Sequence, residues 1–222
     1  MWSPAPKLAA YMWENLSIWA DAVGIAVGYC LGSIPVGLWL GLARRGLDVR
    51  DHGSGSTGAT NVLRIFGPGA AVATFGLDLA KGAAAVALAS WFGADETGQA
   101  AAGIAAMVGH AWPALATFRG GKSVATAFGA LLLVAPEAAP WAVAGGLIAL
   151  AVTRTVSVGS LTAVAAAIVS GAVEAYGGGS ATPLLFALVA AALIASRHTA
   201  NIRRLARGQE PKLKLSRQRA AP

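Results

Sequence analysis

Three stretches of the sequence carry residue types that could hold a phosphate group. The first, residues 44–67 (RRGLDVRDHGSGSTGATNVLRIFG), interleaves glycines with hydroxyl side chains. Glycine lets the backbone turn successive N–H groups inward, and such a nest binds anions. The candidate ligands here are the interleaved polar side chains and the two flanking arginines: Ser54, Ser56, Thr57, Thr60, Asn61, Arg50 and Arg64. A flexible linker is the alternative, but Asn61 and Arg64, leading into the next apolar segment, favour an anion site.

The second stretch, residues 109–126 (GHAWPALATFRGGKSVAT), places Gly120 and Gly121 directly before Lys122 and a predicted helix. Free N–H groups at a helix start, together with an ammonium group, form an anion site. The stretch resembles a nucleotide-binding P-loop only at its end, because that motif needs a glycine where Ala116 stands. ATP hydrolysis is therefore disfavoured. The alternative to a phosphate site is a flexible basic turn.

The third stretch, residues 197–210 (RHTANIRRLARGQE), places four polar side chains at helical spacing: His198, Asn201, Arg204 and Arg207. If the preceding apolar helix continues through them, they can reach back to the other two stretches. The alternative is a basic juxtamembrane segment that contacts anionic lipid head groups. Together the three stretches predict a small phosphorylated ligand, with room for an apolar second substrate that arrives through the bilayer.

The composition indicates that membrane helices position these stretches. Of 222 residues, 56% are hydrophobic and 12% are charged, whereas a soluble domain has about 25% charged residues. The numbers exclude a disordered chain, and the single Cys30 excludes an intrachain disulfide. The net charge of +7 and pI near 10.2 would suit nucleic acid only on a soluble basic face. Here the cations lie between apolar runs, so we expect no nucleic-acid partner.

A transmembrane helix needs about 20 mainly apolar residues. Seven segments are candidates, at residues 17–43, 69–92, 98–117, 123–136, 138–153, 157–175 and 183–197. The sequence therefore predicts an all-α integral membrane protein, a polytopic bundle of about seven transmembrane helices. The fourth segment is short and Gly145 and Gly146 interrupt the fifth, so five or six spans remain an alternative.

The cations orient this bundle. With seven spans, 15 of the 17 Lys and Arg residues fall on one side, which the positive-inside rule assigns to the cytoplasm. The N-terminus is then outside and the C-terminus is cytoplasmic. Within the second predicted span, Lys81 lies three residues after Asp78 on one helix face, and we expect the two to form a structural pair. His110 is as well suited to capping or packing as to chemistry.

Two other function classes share the basic cytoplasmic surface. An organophosphate transporter would also place polar contacts near the midplane and often contains internal repeats, and the sequence has neither feature. A scaffold for lipid head groups would account for the basic C-terminal segment but not for the glycine-rich stretches.

The ordered set of motifs resembles the bacterial acyl-phosphate:glycerol-3-phosphate acyltransferase family, also called the PlsY family. The resemblance extends along nearly the whole chain, through LGSIPVG, GSGSTGATNVLR, LDLAKG, GHAWP, FRGGKSVAT and HTANIRRLARGQE. The chain departs from the usual family pattern at Ser56, where Asn is common, and at Arg119, where Lys is common. Both departures keep a polar or cationic side chain.

The resemblance implies the reaction and the roles of the motif residues. A fatty acyl group passes from an acyl phosphate to the 1-hydroxyl of glycerol 3-phosphate, giving lysophosphatidic acid and inorganic phosphate for phospholipid biosynthesis. The implied catalytic residues are Ser54, Arg64, His198 and Asn201. The implied phosphate-binding residues are Thr60, Asn61, Gly120, Gly121 and Lys122, and the implied structural residue is Glu210. The general base is either His198 or a substrate phosphate oxygen.

The remaining expectations concern organisation and partners. We expect one transmembrane catalytic domain, residues 1–210, followed by a flexible basic tail, residues 211–222. We expect no metal and no cofactor, a monomer, and membrane lipid as the surroundings. The resemblance places the enzyme in the bacterial inner membrane, with its active site on the cytoplasmic side.

Overall fold

The structure, a computed structural model, describes residues 5–213, with side chains from Ser17 onward. Residues 214–222 of the predicted tail lie outside the described residues. Within the described range the chain forms ten α-helices and no strand. They are α1 Ala5–Gly32, α2 Val36–Arg45, α3 Ala59–Phe66, α4 Pro68–Trp91, α5 Glu96–Ala111, α6 Val124–Val134, α7 Ala139–Thr153, α8 Val156–Tyr176, α9 Thr182–Arg197 and α10 Thr199–Ala206. The predicted all-helical fold class is thus confirmed.

Each of the seven predicted apolar segments contains a helix, but not every helix is long enough to cross a bilayer. Four stretches have the necessary length and apolar composition: Ser17–Arg45, Pro68–Trp91, Pro136–Thr153 and Val156–Tyr176. The pair α9 and α10, bent by 69°, would add a fifth. Helices α5 and α6 have only 16 and 11 residues, against about 20 for a straight span. The number of seven spans and the sides of the two termini stay predictions.

The first predicted span is not continuous, because the chain breaks between α1 and α2. Pro35 has no N–H to donate, and a proline disfavours the helical conformation of the residue that precedes it. The break frees the carbonyl of Ile34, which accepts a hydrogen bond of 2.9 Å from Lys81 Nζ. Lys81 also lies 2.8 Å from Asp78, so the predicted pair is confirmed. The pair neutralises two charges that are almost completely buried, and it ties α4 to the break.

Helix α5 ends six residues before the third predicted span does, at Ala111. Trp112 precedes Pro113 and leaves the helical conformation, for the same steric reason as at the first break. The predicted interruption at Gly145 and Gly146 is wrong for the helix itself, because α7 runs through both glycines. A Cβ at Gly146 would lie 3.1 Å from Ala163 Cβ on α8, so the glycine allows α7 and α8 to pack closely.

Small residues allow the close approach of the helices, as expected for a membrane bundle. A Cβ at Gly32 would lie 2.1 Å from the carbonyl oxygen of Ala106, across the α1–α5 contact. A Cβ at Gly129 would lie 1.9 Å from the carbonyl oxygen of Leu79, across the α4–α6 contact. The largest buried cluster lies where α5, α6, α8 and α9 meet. Helix contact therefore holds the N-terminus of α6 and the C-terminus of α9 at the same end.

Candidate active site

A cavity of about 240 Å³ lies at the end of the bundle where α9 turns into α10. Residues from all three predicted phosphate-binding stretches line this cavity. They are Ser54, Thr60, Asn61, Arg64, Lys122, His198, Asn201 and Glu210. The other two predicted site residues, Gly120 and Gly121, do not line it. The fold thus brings eight of the ten predicted residues to one place.

Asn61, 1% exposed, organises the glycine-rich loop of the first stretch. Its side-chain amide nitrogen donates to the backbone carbonyls of Val49, His52 and Ser56, at 2.8, 3.0 and 2.9 Å. Its oxygen accepts from the backbone N–H of Ser54 at 2.8 Å. At Gly53, where φ is +61°, a Cβ would lie 2.3 Å from that oxygen, so the position needs glycine. Asn61 therefore uses its polar atoms to fix the loop, which presents Ser54 to the cavity.

The two arginines that flank this loop have different surroundings. Arg50 pairs with Asp48 at 2.7 Å and donates to the carbonyl of Ala116 at 2.6 Å, which fastens the first stretch to the second. Arg64 is exposed and lines the cavity from α3. Among residues 17–213 no ion pair or side-chain hydrogen bond of Arg64 is found. Of the two guanidinium groups, that of Arg64 is therefore the one available to an anionic ligand.

Gly120 and Gly121 make room for His110, which itself lines the cavity together with Asp78. A Cβ at Gly121 would lie 2.0 Å from His110 Nε2, and one at Gly120 would lie 2.1 Å from the His110 carbonyl oxygen. The N–H of Gly121 donates to that same carbonyl at 3.0 Å. His110 Nδ1 in turn lies 3.3 Å from Asp78. These glycines therefore allow the second stretch to pack onto α5, and the packing aims the following residue, Lys122, into the cavity.

The turn around Lys122 is held in a strained conformation. Thr117, Phe118 and Ser123 have positive φ angles of 53°, 58° and 62°, which cost energy for residues with a side chain. The Ser123 hydroxyl donates to the carbonyl of Met107 at 2.7 Å and secures the end of the turn. Arg197 donates to the carbonyl of Gly121 at 3.1 Å and so links α9 to the turn. Such strain persists only when the surroundings fix the backbone, as they do here.

A hydrogen-bonded chain of side chains joins the second and third stretches. Lys122 Nζ donates to Asn201 Oδ1, and Asn201 Nδ2 donates to Glu210 Oε1. The Glu210 carboxylate also accepts from Ser157 and from Arg204, each at 2.8 Å. Burial raises the pKa of Glu210, but these three hydrogen bonds outweigh it and hold the pKa below its usual value. Glu210 is thus ionised at neutral pH and anchors the end of the third stretch.

His198 lies at the bend between α9 and α10 and is 2% exposed. Its Nδ1 is 2.8 Å from the carbonyl oxygen of Ile194. A carbonyl can only accept, so Nδ1 carries a proton and Nε2 keeps its lone pair in the neutral ring. Burial lowers the pKa of His198 to about 4, and the charge of Lys122 adds to the shift. The imidazole is therefore neutral at pH 7, with Nε2 ready to accept a hydrogen bond.

Lys122 is the cation whose surroundings most favour an anion. Burial lowers its pKa to about 8, and the charges of Arg204, Arg64 and Arg197 lower it against the opposing effect of Glu210. The site therefore concentrates positive charge beside a partly desolvated ammonium group. A bound phosphate would relieve this repulsion, so the electrostatics of the cavity favour an anionic ligand.

A second cavity, an apolar groove of about 390 Å³, adjoins the polar one. Except for Ser160 and two glycines, every residue that lines it is hydrophobic, and these residues come from α4, α6, α7, α8 and α9. Four residues line both cavities: Phe75, Val124, Val156 and Ser160. On α7 the groove is bordered by Val143 and Leu147, which are 40% and 60% exposed. A polar cavity and an apolar groove thus meet inside one membrane-helix bundle.

Sequence reasoning missed Ser157 and this groove. Ser157 is buried at the start of α8 and connects that helix to Glu210. Its only sequence signal is a pair of serines, Ser157 and Ser160, three residues apart in an apolar segment. The groove left no motif, because its lining consists of ordinary Ala, Val, Leu and Phe residues drawn from five helices.

The sequence model of the family described as glycerol-3-phosphate acyltransferase matches residues 22–208. A glycerol-3-phosphate acyltransferase of Parasynechococcus marenigrum is 44% identical over 191 residues, covering 85% of this chain and 88% of the relative. One from Symbiobacterium thermophilum is 45% identical over 199 residues, covering 87% and 96%. A crystal structure of PlsY, an integral membrane glycerol 3-phosphate acyltransferase in its glycerol 3-phosphate form, is similar with a TM-score of 0.80 and 35% identity, covering 87% of this chain and 96% of that one. The lysophosphatidic acid form gives a TM-score of 0.77 at 35% identity, covering 87% and 95%.

Proposed function

This chain belongs to the glycerol-3-phosphate acyltransferase family and is a multi-pass membrane enzyme, and we propose that its acyl donor is a fatty acyl phosphate. The acyl group passes to the 1-hydroxyl of glycerol 3-phosphate. The new ester bond gives lysophosphatidic acid, and the acyl–phosphate bond breaks to release inorganic phosphate. Neither a metal nor a cofactor takes part in this proposal.

The junction of the two cavities carries the proposal. An acyl phosphate has an anionic head and an apolar tail, and the phosphate can lie near Lys122 while the tail follows the groove. The residues shared by both cavities, such as Val124 and Ser160, mark where the acyl carbonyl would lie. The polar cavity of about 240 Å³ has room for a phosphate group. A thioester donor would have to place its much larger carrier at the same junction, so the size of the cavity favours the acyl phosphate.

We assign the phosphate groups to the cations and donors that face the polar cavity. Arg64 and Lys122 supply charge, and the loop fixed by Asn61 supplies Ser54 and Thr60. Two anionic substrates must meet here, so the positive charge offsets their repulsion. The same donors can stabilise the oxyanion that forms when the glycerol hydroxyl attacks the acyl carbonyl. Phosphate is a good leaving group, and the proposal needs no covalent acyl-enzyme intermediate.

The pKa of His198 bears on which group takes the proton from the attacking hydroxyl. With a pKa of about 4, Nε2 can accept a hydrogen bond and orient the hydroxyl but binds a proton weakly at neutral pH. A phosphate monoester has a second pKa of about 6 and is the better proton acceptor. We therefore favour a substrate phosphate oxygen as the base, with His198 and Asn201 positioning the glycerol moiety.

The charges at the two ends of the bundle support a cytoplasmic active site in the bacterial inner membrane. Exposed arginines surround the cavity end, at Arg44, Arg45, Arg119, Arg154, Arg203 and Arg207. Asp95, Glu96 and Glu174 lie at the opposite helix ends. By the positive-inside rule, the cavity end is cytoplasmic. We further propose that the chain crosses the membrane about seven times and that the enzyme is active as a monomer.

The test compares acyl donors with purified protein in detergent, where vectorial transport is impossible. Palmitoyl phosphate with glycerol 3-phosphate should give lysophosphatidic acid and an equal amount of inorganic phosphate. Palmitoyl-coenzyme A and palmitoyl-acyl carrier protein should give no product when acyl phosphate is absent. Product from either thioester, with none from palmitoyl phosphate, would overturn the donor assignment while leaving the family assignment intact.

The lowered pKa of Lys122 predicts a decline of activity at alkaline pH. Because burial lowers this pKa to about 8, the ammonium charge is present at pH 7 and is lost as the pH rises through about 8. We expect kcat/KM for glycerol 3-phosphate, which reports ionisation of the free enzyme, to fall by up to about tenfold per pH unit above that point. Steady-state kinetics from neutral pH to about 10, where an ordinary Lys titrates, measures it.

The Lys122→Arg variant is the control for this pH profile. Its guanidinium group stays charged across the range, so any remaining activity should not show the alkaline decline. A decline of the same midpoint in both proteins would assign the titration to another group.

A further inference from the structure

The apolar groove has an end that is made of buried side chains, two of which are alanines. On each of four helices, the lining residue farthest from the polar cavity belongs to the buried core: Leu131 on α6, Ala142 on α7, Ala167 on α8 and Phe186 on α9. Their exposed fractions are 6%, 4%, 3% and 3%. The groove therefore ends against packed protein, whereas its side along α7 is bordered by the exposed Val143 and Leu147.

We propose that these four residues, which we call the floor, determine the acyl-chain length that the enzyme prefers. The inference rests on the proposed function, because it takes the occupant of the groove to be the tail of the acyl donor. Continuity with the polar cavity supports this occupant. Phe75, Val124, Val156 and Ser160 line both cavities, so a tail whose carbonyl lies at the junction runs directly along the groove toward the floor.

The helix geometry gives the length that the floor allows. Between the junction and the floor the groove follows seven residues of α6, Val124 to Leu131, and eleven of α8, Val156 to Ala167. At 1.5 Å per residue these paths are about 10 and 16 Å long. Carbon–carbon bonds of about 1.52 Å at near-tetrahedral angles advance about 1.25 Å per carbon. An extended tail therefore reaches the floor after about 8 to 13 carbons beyond the junction.

The two floor alanines make the depth adjustable. Leucine at Ala142 or Ala167 would project an isobutyl group into the end of the groove and occupy the place of the last methylenes of a long tail. Each methylene that loses its buried place lowers kcat/KM about fourfold. A leucine that displaces two methylenes should therefore cost long donors about 10-fold to 20-fold relative to short ones. Removing the ring of Phe186 should act in the opposite direction.

The experiment measures kcat/KM for decanoyl, lauroyl, myristoyl, palmitoyl and stearoyl phosphates with purified protein in detergent. Ala167→Leu should lower the myristoyl-to-decanoyl ratio of kcat/KM by about tenfold or more, and Phe186→Ala should raise the relative rates with palmitoyl and stearoyl phosphates. Ratios within one preparation do not depend on the fraction of folded protein. Should Ala167→Leu give no folded protein, Ala142→Leu tests the floor from the facing helix.

Ala165→Leu is the matched control, since Ala165 lies on the same helix as Ala167 but is exposed and does not line the groove. Its chain-length profile should equal that of the parent protein. A profile unchanged by Ala167→Leu and Ala142→Leu, in proteins that still transfer acyl groups, would overturn the floor proposal alone. Failure of the parent protein to use any acyl phosphate would instead overturn the donor assignment and, with it, the inference.

Discussion

Replacing Lys122 by methionine is expected to lower kcat/KM for glycerol 3-phosphate by about 100-fold to 1,000-fold. The loss of one preorganised donor from a partly desolvated site typically has this effect on a reaction that develops charge. Lys122 is the ammonium group that lines the cavity, and its surroundings already disfavour its charge in the absence of an anion. Methionine keeps the length and the apolar stem of the side chain. Steady-state kinetics with palmitoyl phosphate measures the change.

The control for this variant is Arg119→Met, which removes a cation from the same turn. The Arg119 side chain is 61% exposed and lies 3.8 Å from Asp51 on the surface, so we expect less than about a threefold effect. If Lys122→Met and Arg119→Met reduce activity equally, the turn contributes only general positive potential. Retention of full activity by Lys122→Met would contradict the assignment of the phosphate site to this cavity.

Replacing Asn61 by alanine is expected to destabilise the protein as well as inactivate it. The variant leaves the N–H of Ser54 and three carbonyls of the loop without their partner. Because water can reach part of the loop, we expect a loss of about 3 kcal/mol, equivalent to a fall in melting temperature of about 6 to 12 °C for a chain of this size. Thermal unfolding followed by circular dichroism, together with the acyl-transfer assay, measures both effects.

Thr60→Ala is the comparison that separates positioning from ligand binding. Thr60 directly precedes Asn61 in the sequence and also lines the cavity. If Thr60 binds substrate, its variant should raise KM without lowering the melting temperature. Asn61→Asp, which keeps the acceptor for Ser54 but loses the donors, should be intermediate in stability. An Asn61→Ala protein with an unchanged melting temperature and only a raised KM would instead make Asn61 a direct phosphate ligand, as the sequence motif implied.

The sequence predicted the helical fold class and the grouping of three stretches because those properties depend on composition and side-chain chemistry. In so apolar a chain, most of the 17 Lys and Arg residues must lie in the connections between the membrane helices. Glycines next to hydroxyl side chains and cations indicate an anion-binding site from the local sequence alone. The pairing of Asp78 with Lys81 was also predictable, since two charges three residues apart on a buried helix need one another.

The roles of Asn61, Gly120 and Gly121 could not be read from the sequence, because each depends on a neighbour distant along the chain or on the exact path of a loop. The motif indicates polar and flexible positions, but only the fold shows that Gly121 accommodates His110 and that Asn61 holds carbonyls. The end of α5 was also mispredicted. Hydropathy alone extended the span to residue 117, because a hydropathy profile does not reflect the restriction that Pro113 places on the backbone of the residue before it.

The exposed border of the groove along α7 has a consequence for how the enzyme meets its lipids. A donor that enters past Val143 and Leu147 comes from the plane of the bilayer, and the product can return the same way without crossing water. The concentration that governs occupancy is then a mole fraction in two dimensions. Inert lipid or detergent dilutes the donor at constant bulk concentration, whereas glycerol 3-phosphate obeys ordinary volume concentration. One enzyme thus couples a surface-diluted reactant to a dissolved one.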